Sequence, residues 1–243
     1  MSLTDRGKQI RRDVIKLSRM NGGYHLGGSF SCVEILSTLY DKVLKLEDTF
    51  LLSKGHSCWP LYLLLQEKGN DPLLESHPQR DIYNGIFWTS GSLGHGLPAA
   101  IGMALARKIQ SRLGKVFVLM GDGECQEGTT WESLLIAGKY VLDNLVVIVD
   151  HNQLQGSGII DEILPVSKAL MSAADSAGWL PTYCPGHDED RLKKALSVDV
   201  KKPHIILAKT VKGKGVSFME DKAEWHARWL NEEELSIAME ELR

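Results

Sequence analysis

The chain has 243 residues, 43% hydrophobic and 24% charged, enough apolar material for a sizeable core in an ordinary water-soluble globular protein. A formal net charge of -3 leaves no excess of lysine or arginine to release counterions from nucleic acid, so a general polyanion-binding role is excluded. Four scattered cysteines, Cys32, Cys58, Cys125 and Cys184, form no CxxC pair, and no apolar run is long enough for a signal peptide or a membrane span, so the expectation is a cytoplasmic chain.

Ile10, Val14 and Leu17 recur at helical intervals and predict a first amphipathic helix over about 5 to 20. After the glycine-rich break "NGGYHLGGS", the stretch "SCVE" (31 to 34) has the form of a capping box, and an apolar stripe from Val33 to Val43 predicts a helix running to about 45. "LYLLLQEKG" predicts a short helix closed by Gly69, and residues 71 to 96, with Pro72, Pro78 and "TSGSLGHG", predict a long irregular connection of the kind that more often carries function. The segment 97 to 113 predicts a helix with small residues on one side, suited to tight packing on a sheet or on another subunit.

"KVFVLM" (115 to 120) and "LVVIVD" (145 to 150) are near-continuous apolar runs, as expected for parallel strands buried on both faces. Between them, Trp131, Leu134, Leu135, Gly138 and Leu142 share one helical face, which makes a strand-helix-strand unit. Helical stretches near 167 to 177 and 188 to 197 precede a third strand, "HIILAKT" (204 to 210). The alternation predicts an α/β layered fold with a parallel sheet, and with no repeat or composition break residues 1 to 243 form one domain. The basic clusters "RLKKAL" (191 to 196) and "VKGKG" (211 to 215) fit solvated faces or loops.

In "LMGDGECQEG" (119 to 128) a carboxylate, Asp122, stands between two glycines where a phosphate would otherwise settle. Like charges at that distance repel strongly in a partly dry site, so either no phosphate binds there or a cation stands between the two. Ligands of open parallel sheets lie beyond the carboxyl ends of the strands, and Asp122 and Asn152 both follow predicted strands directly. If those strands are neighbours, a carboxylate and an amide carbonyl converge into a hard oxygen cage suited to Mg²⁺ or Ca²⁺, completed by water and phosphate oxygens. Taken singly, each residue reads first as an ordinary turn or helix-capping residue, and it is their joint placement on consecutive strand ends that favours the ion. A dinucleotide fingerprint is disfavoured because it would need glycine where the chain has Gln126.

"GDG" followed by Asn152 resembles the cofactor signature of thiamine diphosphate enzymes, and "GDGECQEG" is similar to its transketolase version. Four further segments, "HLGGSFS" (25 to 31), "LSKGHSCWPLY" (52 to 62), "TSGSLGHGLPAAIGMALA" (89 to 106) and "KTVKGKGVSFMED" (209 to 221), resemble in order the loops of the transketolase pyrophosphate-binding half. The resemblance implies a three-layer α/β fold of the thiamine diphosphate-binding type and the N-terminal subunit of a split transketolase. By it, Asp122, Asn152 and the Leu154 carbonyl hold a divalent ion, Mg²⁺ or in its place Ca²⁺ or Mn²⁺. Gly121, Gly123, Glu124 and His56 belong to the diphosphate side. Gly91, Ser92 and Leu93 lie against the aminopyrimidine and thiazolium rings, and Glu127 joins a carboxylate network across the subunit interface. His25, His56, His77 and His226 line the substrate channel, His226 also touching the cofactor.

The resemblance further implies transfer of a two-carbon ketol unit from a ketose or ketose phosphate to an aldose. It places the glutamate that activates the cofactor in the pyrimidine-binding domain of a C-terminal partner subunit, within an assembly of two copies of each chain. Tyr24 stands where transketolases usually carry glycine, and "WHARWLNEEE" (225 to 234) departs from the usual His-Gly. Both departures lie on the substrate side. The competing readings are the α subunit of a 2-oxo acid dehydrogenase and, from a different class, a non-catalytic metal- or nucleotide-binding module.

Overall fold

The computed structural model describes residues 3–243. The Thr4 hydroxyl accepts from the Gly7 N–H at 3.1 Å and so caps α1 (Asp5–Met20), which runs as its periodicity predicts. The predicted helix from 31 to 45 is in fact broken. α2 (Leu26–Ser31) ends at Cys32, α3 (Val33–Thr38) resumes, and a wide helical turn over 39–43 closes the segment. "SCVE" is not a capping box here. The Ser31 hydroxyl lies 2.8 Å from the Gly28 carbonyl and 2.5 Å from the Asp150 carboxylate, and the Glu34 carboxylate is taken by Arg11.

Next come β1 (Thr49–Leu52), α4 (Trp59–Glu67) and the long connection, which holds only a short 3-10 turn at 82–84 before α5 (Gly96–Ile109). That helix stops four residues short of its predicted end, as Ser111 turns at φ 52°. β2 (Val116–Gly121), α6 (Gly128–Lys139) and β3 (Leu145–His151) form the expected strand-helix-strand unit, although Leu135 of α6 is 68% exposed rather than on the buried face. A small hairpin of β4 (Leu154–Gln155) and β5 (Gly158–Ile159) leads into α7 (Ile160–Ile163) and α8 (Ser167–Ser176). β6 (Leu180–Pro185), α9 (Glu189–Leu196), β7 (His204–Lys209) and α10 (Glu232–Glu241) complete the chain.

The main sheet has the order β1-β2-β3-β7-β6 with every pairing parallel. Its side chains alternate between two cores. Phe50, Phe117, Leu119, Ile148 and Ile206 face α1, α3 and α4, whereas Leu51, Val118, Val147 and Ile205 face α5, α6 and α8. A sheet covered on both sides needs apolar residues at every position, which is why the central strands read as unbroken hydrophobic runs. Among the described residues, no helix is long and apolar enough to cross a membrane.

Candidate active site

β2 and β3 are direct neighbours with Gly121 opposite Asp150, so the segments that follow them emerge side by side at the carboxyl edge of the sheet. Asp122 is buried there. One carboxylate oxygen accepts from the Gly123 N–H at 2.9 Å and the other from the Gln153 N–H at 2.5 Å. The turn-capping role and the proximity to Asn152 therefore coexist in one side chain. The Asn152 amide donates to Asp150 at 3.3 Å while its oxygen accepts from the Leu154 N–H at 3.1 Å, which fixes the orientation of the amide. A carbonyl oxygen has two lone pairs, so Asn152 keeps one for a further partner.

These residues line a cavity of about 340 Å³, shared with Gly28, Lys54, His56, Leu93, Gly121, Gly123, Glu127, Leu154, Lys212 and His226. Two ammonium groups flank it. Lys54 is 1% exposed and paired with Asp150, whose carboxylate also takes the Ser31 and Thr210 hydroxyls. Burial alone would push the Lys54 pKa down, but the Asp150 charge outweighs it and the pKa is raised. Lys212 has no such close carboxylate. Burial and the Lys54 charge push it down to about 8, against a weaker opposing pull from Asp122 and Asp150. Its Nζ lies 3.4 Å from the Leu154 carbonyl and 3.2 Å from His226 Nδ1.

Neither lysine was singled out in the sequence, and "VKGKG" fitted a solvated loop. The signal was its place directly after β7, at the same sheet edge as Asp122. Glu124, expected beside the diphosphate, has both oxygens occupied by the protein. They accept from the Ser53 hydroxyl, from Gly94 N–H at 2.9 Å and from Gly121 N–H at 3.1 Å, so the side chain staples the 90–96 loop to the end of β2. Burial raises its pKa against these bonds.

The four predicted histidines converge. The His25 ring centre lies 5.3 Å from His56, 5.2 Å from His226 and 6.3 Å from His77, and His56 is 5.1 Å from His226. Burial is the first cause that lowers all four pKa values, with neighbouring lysine and imidazole charges adding to it at His25, His56 and His226; His226 falls to about 4. The cluster is therefore neutral at pH 7. His25 Nδ1 contacts the His226 carbonyl and must carry the proton, which leaves Nε2 as an acceptor. His226 Nδ1 accepts from Lys212, so its Nε2 is a donor.

Gly91, Ser92 and Leu93 are exposed, Leu93 lines the cavity, and Gly91 stands at φ 139° beside the His77 ring. Glu127 is exposed as the N-cap residue of α6 and makes no capping bond.

A diphosphate and a divalent ion fit these residues. The Gln155 side-chain oxygen is buried without a hydrogen-bond partner, 3.0 Å from where a Cβ on Gly123 would stand. Among the described residues no three His, Cys, Asp or Glu side chains cluster as a metal site. One carboxylate beside amide and backbone carbonyls is instead the donor set of a hard cation that shares phosphate oxygens.

Residues 8–242 match the family described as transketolase, thiamine diphosphate binding domain. An apulose-4-phosphate transketolase subunit from Actinobacillus succinogenes is 36% identical, over 99% of this chain and 96% of its own length. The 6-deoxy-6-sulfo-D-fructose transketolase subunit SqwG of a Clostridium species is 34% identical, over 100% of this chain and 96% of its own. The crystal structure of transketolase from Campylobacter jejuni superposes with a TM-score of 0.86 at 26% identity and covers 98% of this chain and 42% of that one. With motif, sheet edge and relatives in agreement, the chain belongs to the transketolase family, whose thiamine diphosphate-binding domain it carries.

Proposed function

We propose that this chain is one subunit of a split transketolase, acting with a second polypeptide that carries the pyrimidine-binding domain, in a heterotetramer of two copies of each. The observation that carries the reading is the convergence of Asp122, Asn152, Lys212, His56 and His226 on one cavity at the ends of β2, β3 and β7, with the His25 and His77 imidazoles clustered beside it. Relatives matched over nearly their whole length are named as transketolase subunits, which supports the two-chain arrangement. Four free, buried cysteines suit a reducing compartment such as the cytoplasm.

Asp122, Asn152 and the Leu154 carbonyl would hold Mg²⁺, or Ca²⁺ or Mn²⁺ in its place. Gly123, His56 and Lys212 would face the diphosphate. Thiamine diphosphate, when bound, supplies a carbon nucleophile that also accepts the electron pair released as a ketose carbon–carbon bond breaks. The chain's own task is to position and to move protons. Both rings are neutral at rest: His25 Nε2 would take a proton from a sugar hydroxyl, becoming an imidazolium beside the oxyanion it creates and returning the proton later, while His226 Nε2–H donates a hydrogen bond to a sugar oxygen. Gly91 to Leu93 and Glu127, all exposed, would be covered by the partner and by the second active site.

The substrate is a sugar or sugar phosphate. The named substrates of both relatives are specialised ketoses, which supports a similarly specialised donor here. The test is co-purification with the partner followed by a ketol-transfer assay. The pair is expected to turn over and the isolated chain, with thiamine diphosphate and Mg²⁺, is not. Turnover by the isolated chain contradicts the split; decarboxylation of a 2-oxo acid by the pair assigns it to the dehydrogenases instead.

A further inference from the structure

Tyr24 and Trp229 stand outside the lining of the cavity, yet they continue the imidazole cluster outward. The Tyr24 ring lies 4.3 Å from His25 and 5.5 Å from Trp229, centre to centre. Contacts thus run in an unbroken line from the Leu154 carbonyl through Lys212, His226 and His25 to Tyr24 and Trp229. The inner end is polar and charged, and the outer end is aromatic.

The backbone at Tyr24 is held in place. Gly23 abuts the Trp59 ring so closely that a Cβ would stand 1.9 Å from it, and Trp59 Nε1–H donates to the Tyr24 carbonyl at 2.9 Å. His25, the next residue, has φ 63°, a left-handed turn that sets the two rings side by side. Trp229 is 53% exposed, an unusual place for so large an apolar surface unless something lies on it. The cations around it are engaged elsewhere: Arg19 pairs with Glu232, and Arg228 pairs with Glu234 and stacks on Trp225.

We infer that Tyr24 and Trp229 form an aromatic wall that selects among sugars by the carbon chain lying beyond His25, taking its C–H face rather than a phosphate. This inference rests on the transketolase reading and names what that site discriminates. Aromatic rings offer apolar area in a fixed orientation at little entropic cost, and a sugar carbon face is the part of a polyol that suits them. A two-carbon acceptor ends at the imidazoles, whereas a five-carbon aldose extends past them to the wall.

The test uses the chain co-purified with its partner, assayed with one donor against glycolaldehyde and against a five-carbon aldose. For Tyr24→Ala and for Trp229→Ala the ratio of kcat/KM, five-carbon over two-carbon, is expected to fall about tenfold, mainly through KM, whereas Tyr24→Phe keeps the ratio. The affinity for thiamine diphosphate is measured on the same samples and is expected to stay within about twofold. An unchanged ratio overturns the wall. A ratio that falls only alongside cofactor affinity, or with loss of the partner on purification, also overturns it, by assigning the rings to site structure or to the subunit interface. A wild-type pair without ketol transfer overturns the parent reading instead, and the wall with it.

Discussion

Buried polar side chains set most of the chemistry of this molecule, and each reports on what surrounds it. His204, at the start of β7, is 2% exposed; burial, and then Lys115, push its pKa down to about 4. The unfolded chain titrates near the ordinary value of about 6.5, so between those limits it binds the proton that the folded state refuses. Stability from this group is complete above about pH 6.5 and is lost as the pH falls toward about 4, amounting to about 3 kcal/mol. The site imidazoles shift in the same direction, so denaturant melts of the wild type should weaken steeply over that interval. His204→Gln should flatten the dependence by about one proton, and an unaltered slope would show that the ring is charged in the folded state.

Between elements, a buried ion pair away from the site joins Arg11 of α1 to Glu34 of α3. Arg11 meets both carboxylate oxygens, at 2.6 and 2.9 Å, and also donates to the Phe30 and Gly7 carbonyls. Burial pushes the Glu34 carboxyl up, but Arg11 and His187 prevail and hold it at about 2. Arg11→Met leaves the buried carboxylate with only the His187 imidazole, 2.7 Å from one oxygen, as a side-chain partner and should cost about 3 kcal/mol in urea unfolding, part of which Glu34→Gln in the same chain should restore. A loss below about 1 kcal/mol would mean that water reaches the pair.

Element by element, legibility followed burial. β2, β3 and β7 were visible because both faces are covered, whereas β1 is only four residues long and β6, at the sheet edge, carries Pro181 and Pro185. The sequence showed Asp122, Asn152 and the histidines through motif and position. It could not show that Lys54 pairs with Asp150, 96 residues away, or that Lys212 turns inward, because a lysine reads the same whether solvated or buried. Glu124 lines the cavity as expected, but its hydrogen bonds to Ser53 and Gly94 could not be read from the sequence, because those partners are brought in only by the fold.

For the whole molecule, the sheet's carboxyl edge gathers the carboxyl groups of Asp122, Glu124 and Glu127, the Asn152 amide, the ammonium groups of Lys54 and Lys212 and the imidazoles of His56 and His226, with Asp150 already paired to Lys54, so the lysines alone give no excess of positive charge for a diphosphate. Asp122 answers the repulsion expected from its sequence position only if a divalent ion stands between it and that diphosphate. Binding of the metal and cofactor should then stabilise the chain with its partner by mass action. The most direct measurement is calorimetric titration of the two-chain complex with thiamine diphosphate, with Mg²⁺ and in a chelator, for the wild type and for Asp122→Asn. Binding that requires Mg²⁺ and is lost in Asp122→Asn is the predicted result; equal affinity in chelator, or in the variant, would contradict it.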